Sequence, residues 1–448
     1  PRSQTILGGS TTGNRSERCS ASRPRRSSGH RRACGVPGAL NTGFSRSHCS
    51  SVRSPDPTHD ALGDWWRSYL AGARPRTNQS QRRLRVAELF SGPGGLAQGV
   101  KQACRELGYE FHSAFAADHD SEALGVYKDN HGAEYTTSTS VSSLVDYRID
   151  GRAGDASWSP RQEPCLTDSR LSDLAGTIDL LLAGPPCQGH SNLNNHTRRD
   201  DIRNELYLTV PAIAIAAQIP MIIIENVTAV VHDEQSVVAT THELLRQAGY
   251  QVTTGVLKAD RLGWPQTRAR FFLVACLETA PIPIDAISSG LAAEARDVLW
   301  AIGDLADVGE DDGMNRRPQM SKKNVNRINW LFDNEEHDLA LHMRPDCHLN
   351  GTTYTAVYGR MHKGRPAPTL TTGFMTPGRG RFVHPVRPRV LTPREAARIQ
   401  GFPDTYRWKS PDAPEPKSQL LAKWIGDAVP MPLGHAAALS VLGTDLTT

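Results

Sequence analysis

Short apolar runs recur along the middle of the chain, each closed by glycine, proline or a polar residue. Residues 84–90, 111–117, 178–183, 221–227 and 271–276 are the strongest of these, with weaker runs at 139–144 and 251–257. Their length, aliphatic content and flanking breakers predict strands. The intervals between them carry a different period. Leu96, Val100, Cys104 and Leu107 follow helical spacing and stop at Gly108, and 204–217 and 236–248 also read as helices. Strands alternating with helices predict an α/β, doubly wound, Rossmann-like sheet.

Outside this alternation the pattern weakens. Residues 59–73 form a helix candidate with Leu62, Trp65, Trp66, Tyr69 and Leu70 on one face, followed by a polar linker over 74–83. A polar insertion up to residue 175 precedes the 178–183 run, and a long polar segment, 190–204, comes after it. From 281 to 388 aliphatic runs give way to Gly, Pro, Arg, Lys, Asn and His, which predicts a second, small and irregular domain. Thr392-Pro393-Arg394-Glu395 is a capping box opening a helix that Gly401 ends, and a last apolar helix follows Pro430. The expected organisation is a leader and linker over 1–80, a catalytic and cofactor-binding domain over 84–280, a recognition domain over 281–388 and a return over 389–448.

Charge modifies this picture at one end. The net charge of +4 is uneven, because residues 1–60 hold ten arginines against Glu17, Asp56 and Asp60, a local +7 that leaves −3 for the rest. This Ser-, Gly- and Arg-rich stretch is expected to be disordered, either as a nonspecific nucleic-acid arm or as a leader without a role. No apolar signal segment opens it, and no run was long enough to suggest a membrane span. Eight cysteines without paired spacing give neither a zinc pattern nor a disulfide framework, so a reducing cytoplasm is the expected compartment.

The chemistry-bearing residues sit where the strands end. The 178–183 run feeds Gly184-Pro185-Pro186-Cys187-Gln188-Gly189, so Cys187 lies just past a strand's carboxyl end, where open α/β sheets place their binding crevices. A buried structural cysteine in a Pro-rich turn fits the same residues. Ser91-Gly92-Pro93-Gly94-Gly95 joins a strand to a helix, a turn that lets backbone N–H groups approach a ligand. Asp118, at the end of the second strand, stands where ribose hydroxyls are commonly held. Glu225 closes another strand, and Arg268 and Arg270 alternate on one face; solvated charges on an edge strand would look the same.

Together these blocks resemble the C5-cytosine DNA methyltransferase family of bacterial type. The match runs in order through Phe90 to Gly95, Pro186-Cys187-Gln188, Glu225-Asn226-Val227, Gln266 to Arg270, Arg394 to Pro403 and Gly426 to Pro430. The resemblance implies a sheet that binds S-adenosylmethionine, with target recognition assigned to the variable stretch before Arg394. It implies transfer of the cofactor's methyl group to C5 of a flipped cytosine in double-stranded DNA. Cys187 would be the nucleophile, Glu225 the group at N3 and the exocyclic amine, and Arg270 the steadying cation, supported by Arg268 and Gln266. Phe90, Ser91, Gly92, Gly94, Gly95, Asp118, His119, Pro185, Leu206, Asp427 and Val429 would surround the cofactor. Gln188, Arg360, Lys363, Arg365 and Thr369 would face DNA. This chain departs from the pattern at His119, where an apolar or aromatic residue is usual, at Ser140, near the place of the acid that binds the adenine amine, and at Asp427, where asparagine is usual. An RNA cytosine methyltransferase and a non-catalytic DNA-binding relative are the competing readings. The expected state is a monomer, with a cognate restriction or defence nuclease as a further partner.

Overall fold

The computed structural model describes residues 60–73, 82–186, 206–233, 235–310, 312–348, 356–411 and 413–443. The expectations for residues 1–59 and for Cys187, Gln188 and the segment up to residue 205 therefore lie outside the described residues.

Seven strands form one sheet: β1 (Arg82–Leu89), β2 (Tyr109–Ala117), β3 (Tyr135–Thr137), β4 (Leu180–Ala183), β5 (Met221–Asn226), β6 (Gln251–Lys258) and β7 (Ala269–Cys276). Their spatial order is β6-β7-β5-β4-β1-β2-β3. All neighbouring pairs are parallel except those made by β7, which is antiparallel to both β5 and β6. The strand order reverses between β1 and β4, which creates a crevice at their carboxyl ends.

The central strands are apolar on both faces because both faces are covered. Leu180 and Leu182 point into one core with Phe272 and Val274, while Leu181 and Ala183 point into the other with Leu273 and Ala275. The longer helices are α1 (Ala61–Leu70), α2 (Gly95–Leu107), α3 (Ser121–His131), α4 (Thr209–Ala216), α5 (Val237–Gln247), α6 (Lys322–Asp333), α7 (Pro393–Gln400), α8 (Ser418–Asp427) and α9 (Met431–Leu442). Residues of α2 and α9 share the first core, and residues of α4 and α5 share the second. The capping box at Thr392 and Glu395 is formed, and Gly401 ends α7 at φ +94°, a conformation open to glycine. The apolar stretch Ser418–Leu442 is two helices broken at Ala428–Pro430, and 89% of its most apolar window is buried inside the fold.

Three expectations are corrected. The third strand is Tyr135–Thr137 rather than 139–144, where Val141–Ser143 instead forms a short 3-10 turn. In α1, Trp66, Tyr69 and Leu70 are buried, but Leu62 and Trp65 are 59% and 37% exposed, so the packed face is narrower than the spacing suggested. This helix belongs to the folded unit. Trp66 meets Trp264 edge-to-face at 5.7 Å, Gln98 of α2 donates to the Tyr69 hydroxyl at 2.5 Å, and Arg296 clamps Asp60 with bonds of 2.8–3.0 Å. Finally, the change of composition at residue 281 is not a break in packing. Ile284, Ile287, Val298, Ala301 and Ile302 join the core beside the sheet, while a separate small cluster of Ile328, Leu331, Leu339, Val383 and Val390 begins only later.

Candidate active site

A cavity of about 450 Å³ opens at the carboxyl ends of β1, β4 and β5. Its wall is built from strand ends and the turns that follow them. β1 delivers Glu88 and then turns through Phe90, which takes φ +55°, and Gly92, at φ +50° with open space where a Cβ would stand. Both Asp118 oxygens organise this turn: one accepts the Gly92 N–H at 2.7 Å, the other the Asp120 N–H at 2.8 Å. His119 lies beyond it, 81% exposed, its Nδ1 3.4 Å from Asp118.

Among the expected cofactor residues, Phe90, Ser91, Gly92, Gly95, Asp118, His119, Pro185, Leu206, Asp427 and Val429 line this one cavity. Gly94 does not. It caps α2 at φ +96° with its Cα face against the His131 ring, so it shapes the turn from behind. Ser140 also lines the wall, with Val141.

The β4 end passes through Gly184 into Pro185 and Pro186. The Asn226 side chain donates to the Pro185 carbonyl at 3.3 Å and so ties this turn to the end of β5. Glu225, one residue earlier, faces the cavity. Its carboxylate lies 2.7 Å from Arg270 Nε, with both side chains more than four-fifths buried. Burial pushes the Glu225 carboxyl above its ordinary range, against the pull of Arg270 and Arg268. Strand β7 lies between β5 and β6, so Arg270 is not a solvated edge charge. Arg268 is 3% exposed and donates to the carbonyls of Leu370 and Gly426, at 2.7 and 2.9 Å, bracing the walls against each other. Gln266 is fully buried behind them and pairs through its backbone with Ala367; it does not line the cavity.

The DNA-facing expectations separate. Lys363 and Arg365 are exposed and Thr369 is half-buried. Arg360 is engaged within the protein: its guanidinium lies 3.9 Å above the Phe332 ring and Nε donates to the Pro385 carbonyl at 2.9 Å.

Glu88 was not anticipated. It is 2% exposed, lines the cavity with one carboxylate oxygen lacking a partner, and burial raises its pKa to about 8. Its signal is present in the sequence, as a carboxylate among the apolar residues Val86, Ala87, Leu89 and Phe90 at the end of the strand. Lys423 and Trp424 of α8 also line the wall and were not singled out.

A doubly wound sheet with a half-apolar cavity at its switch point, a glycine turn and helix N-terminus on one side and a buried Glu–Arg pair on the other defines a nucleotide-cofactor enzyme. The pattern of the C-5 cytosine-specific DNA methylase family matches residues 84–442, and the chain belongs to that family. It is 38% identical over 370 residues to the Type II methyltransferase M1.BsuMI of Bacillus subtilis (strain 168), covering 82% of this chain and 83% of that one. It is 28% identical to the Type II methylase M.HgiDII of Herpetosiphon aurantiacus, over 80% and 94% of the two chains. The structure of the Dnmt2 methyltransferase of S. pombe shares the fold, with a TM-score of 0.54 at 18% identity over 82% of this chain and all of that one. The enzyme is thus a DNA (cytosine-5-)-methyltransferase that uses S-adenosylmethionine and acts on DNA. The cavity fits that cofactor by its volume, by the open face of Gly92 and by the orphaned Glu88 oxygen.

Proposed function

We propose that Cys187, Glu225 and Arg270 carry the methylation, with Arg268 and Gln266 as positioning residues. The observation that supports this reading best is the buried 2.7 Å Glu225–Arg270 pair at the strand end beside the turn that leads to Cys187. The target atom of a duplex base is out of reach, so the cytosine must leave the stack. The Cys187 thiolate then adds to C6, forming an S–C6 bond and making C5 nucleophilic. Glu225, its carboxyl kept protonated longer by burial, supplies a proton at N3 as charge builds on the ring. Arg270 holds Glu225 in place and faces the base carbonyl. S-adenosylmethionine supplies the electrophilic methyl group. Loss of the C5 proton to solvent, return of the N3 proton to Glu225 and cleavage of S–C6 release the methylated base and restore both the thiolate and the acid.

Phe90, Ser91, Gly92, Gly95, Asp118, His119, Pro185, Leu206, Asp427 and Val429 hold the cofactor, and Gly94 supports that turn from outside the cavity. Lys363, Arg365 and Thr369, with Gln188, face DNA, while Arg360 braces the segment that carries them. We place the enzyme, as a monomer in the cytoplasm, in a modification role beside a cognate restriction or defence nuclease; the relatives' names, Type II methyltransferase and Type II methylase, support the modification role alone.

The experiment is methyl transfer from labelled cofactor to duplex DNA, together with trapping on DNA containing 5-fluorocytosine. The native protein should form a covalent adduct. Cys187→Ser should form none and lose at least about 10³-fold in turnover while still binding cofactor. A mutant with near-native turnover would make Cys187 structural.

A further inference from the structure

We propose that the outer face of α6 reads A·T base pairs in the DNA major groove beside the flipped cytosine, a reading that rests on the DNA-methylating function above. Asn326 and Asn329 take adenine edges, Val325 packs on a thymine methyl group, and Lys322 contacts a backbone phosphate.

Helical spacing puts Lys322, Val325, Asn326 and Asn329 on one stripe. All four are exposed, Val325 by 42%, while Ile328 and Leu331 on the opposite side are buried with Leu339, Val383 and Val390. Arg327 pins the helix from behind through the Met343 carbonyl, at 2.9 Å. The outer stripe has no such internal use. Asn324 accepts from Arg327 at 3.0 Å, whereas among the described residues Asn326, Asn329 and Lys322 have no hydrogen-bond or ion-pair partner. Asparagine and an exposed β-branched valine weaken a helix relative to alanine or lysine, so folding does not account for them here. No acid interrupts the helix before Asp333. The face is thus cationic and complementary to a polyanion. Its amides match the adenine edge, its valine the thymine methyl, and an α-helix fits the major groove.

The last turn of α6 ties this face to the cavity. Phe332, two turns after Val325, lies on the edge of the same stripe, and the Arg360 guanidinium stands 3.9 Å above its ring. From Arg360 the chain runs past the exposed Lys363 and Arg365 to Ala367, which pairs with Gln266, and on to Leu370, whose carbonyl accepts from Arg268 of the cavity wall at 2.7 Å. Even fully extended, Arg360 to Ala367 spans at most about 25 Å, less than one turn of duplex at about 34 Å. The end of α6 and the wall of the site that takes the flipped base therefore lie within one turn of the same DNA.

The test is a methylation map of a random-sequence duplex library treated with the full chain and three variants. The native map should show an A·T pair fixed at one or more positions flanking the methylated cytosine. Asn326→Ala and Asn329→Ala should each lower the preference for A·T over G·C at such a position by about tenfold or more, with turnover on permissive sites kept. Lys322→Gln should weaken binding to all sequences alike, flatten its salt dependence and leave the map unchanged. Alanine is the better helix former, so neither asparagine variant should unfold below the native protein. A lowered unfolding temperature with lost activity would make the amides structural. An unchanged map in both asparagine variants, or a native map without a fixed A·T pair, would overturn reading by α6 and leave the methylating function intact. A native protein that methylates no duplex would remove both.

Discussion

The cavity wall and the segment from about 307 to 390 use arginine in opposite ways. In the cavity, Arg270 sits against Glu225 on a strand whose neighbours fix it, and its value lies in one charge at one place. In the later segment arginines supplement a small apolar core. Arg381 donates to the carbonyls of His337 and Arg360, at 2.8 and 3.1 Å, and pairs with Asp338 at 2.5 Å. Arg327 donates to the Met343 carbonyl at 2.9 Å while lying 5.2 Å from the Tyr358 ring centre. Arg387 and Arg389 clasp Asp307 and Glu395. A segment with only a handful of buried aliphatics satisfies its irregular backbone through guanidinium groups, whose five donors suit carbonyls facing several ways. Arginine richness there reports architecture as much as nucleic-acid contact.

Exchanging the whole segment should break the comparison most visibly. A chimera carrying residues 307–390 of a related methyltransferase should keep methyl transfer and mark a different sequence, read by a methylation map. An active chimera that still marks the original sequence would put recognition in the sheet domain. Next in size, Glu225→Gln should lower turnover by about 10²–10³-fold with cofactor binding kept, because it removes the proton donor and leaves the cavity's shape. Loss of binding and turnover together would make the Glu225–Arg270 pair structural.

The two kinds of arginine can then be separated within the segment. Arg360→Ala should destabilise the protein by about 1–2 kcal/mol through the lost ring and carbonyl contacts, seen in thermal unfolding, with site preference unchanged. Arg365→Ala should leave stability alone and weaken DNA binding with a shallower salt dependence. Swapped outcomes would reverse the assignment. A separate effect, read in pH, belongs to Glu88. Its carboxyl titrates near 8 in the fold against an ordinary 4.5, so the folded state holds a proton that the unfolded state has released across that window. Stability should therefore fall as pH rises from about 4.5 to 8. Glu88→Gln should abolish that slope and unfold about 2–4 °C higher than the native protein at pH 8. A flat native profile would mean that Glu88 is already ionised.

Most of the sheet was legible from residues 84 to 276 because its central strands are short apolar runs buried on both faces, and Glu225 and Asp118 could be placed at strand ends from position in the sequence alone. The same local logic found the glycine turn, the capping box and Gly401. It misplaced the third strand because Tyr135–Thr137 is half-exposed and has no apolar run to announce it. It also drew a border at 281 that packing ignores, because composition changes there while Ile284 and Ile302 still find the core.

What the sequence determined by itself was everything set by neighbours along the chain: element type, breaks, caps and the residue kinds the chemistry needs. Which charges are spent and which remain available was decided only in the tertiary structure. Arg360 on Phe332, Arg268 between Leu370 and Gly426, Asp118 on the Gly92 turn and the free oxygen of Glu88 all depend on groups distant in sequence. The reason is physical. A hydrophobic run advertises its burial through its own periodicity, whereas a charged side chain's state is set by whatever donor, acceptor or solvent lies within a few ångströms of its tip.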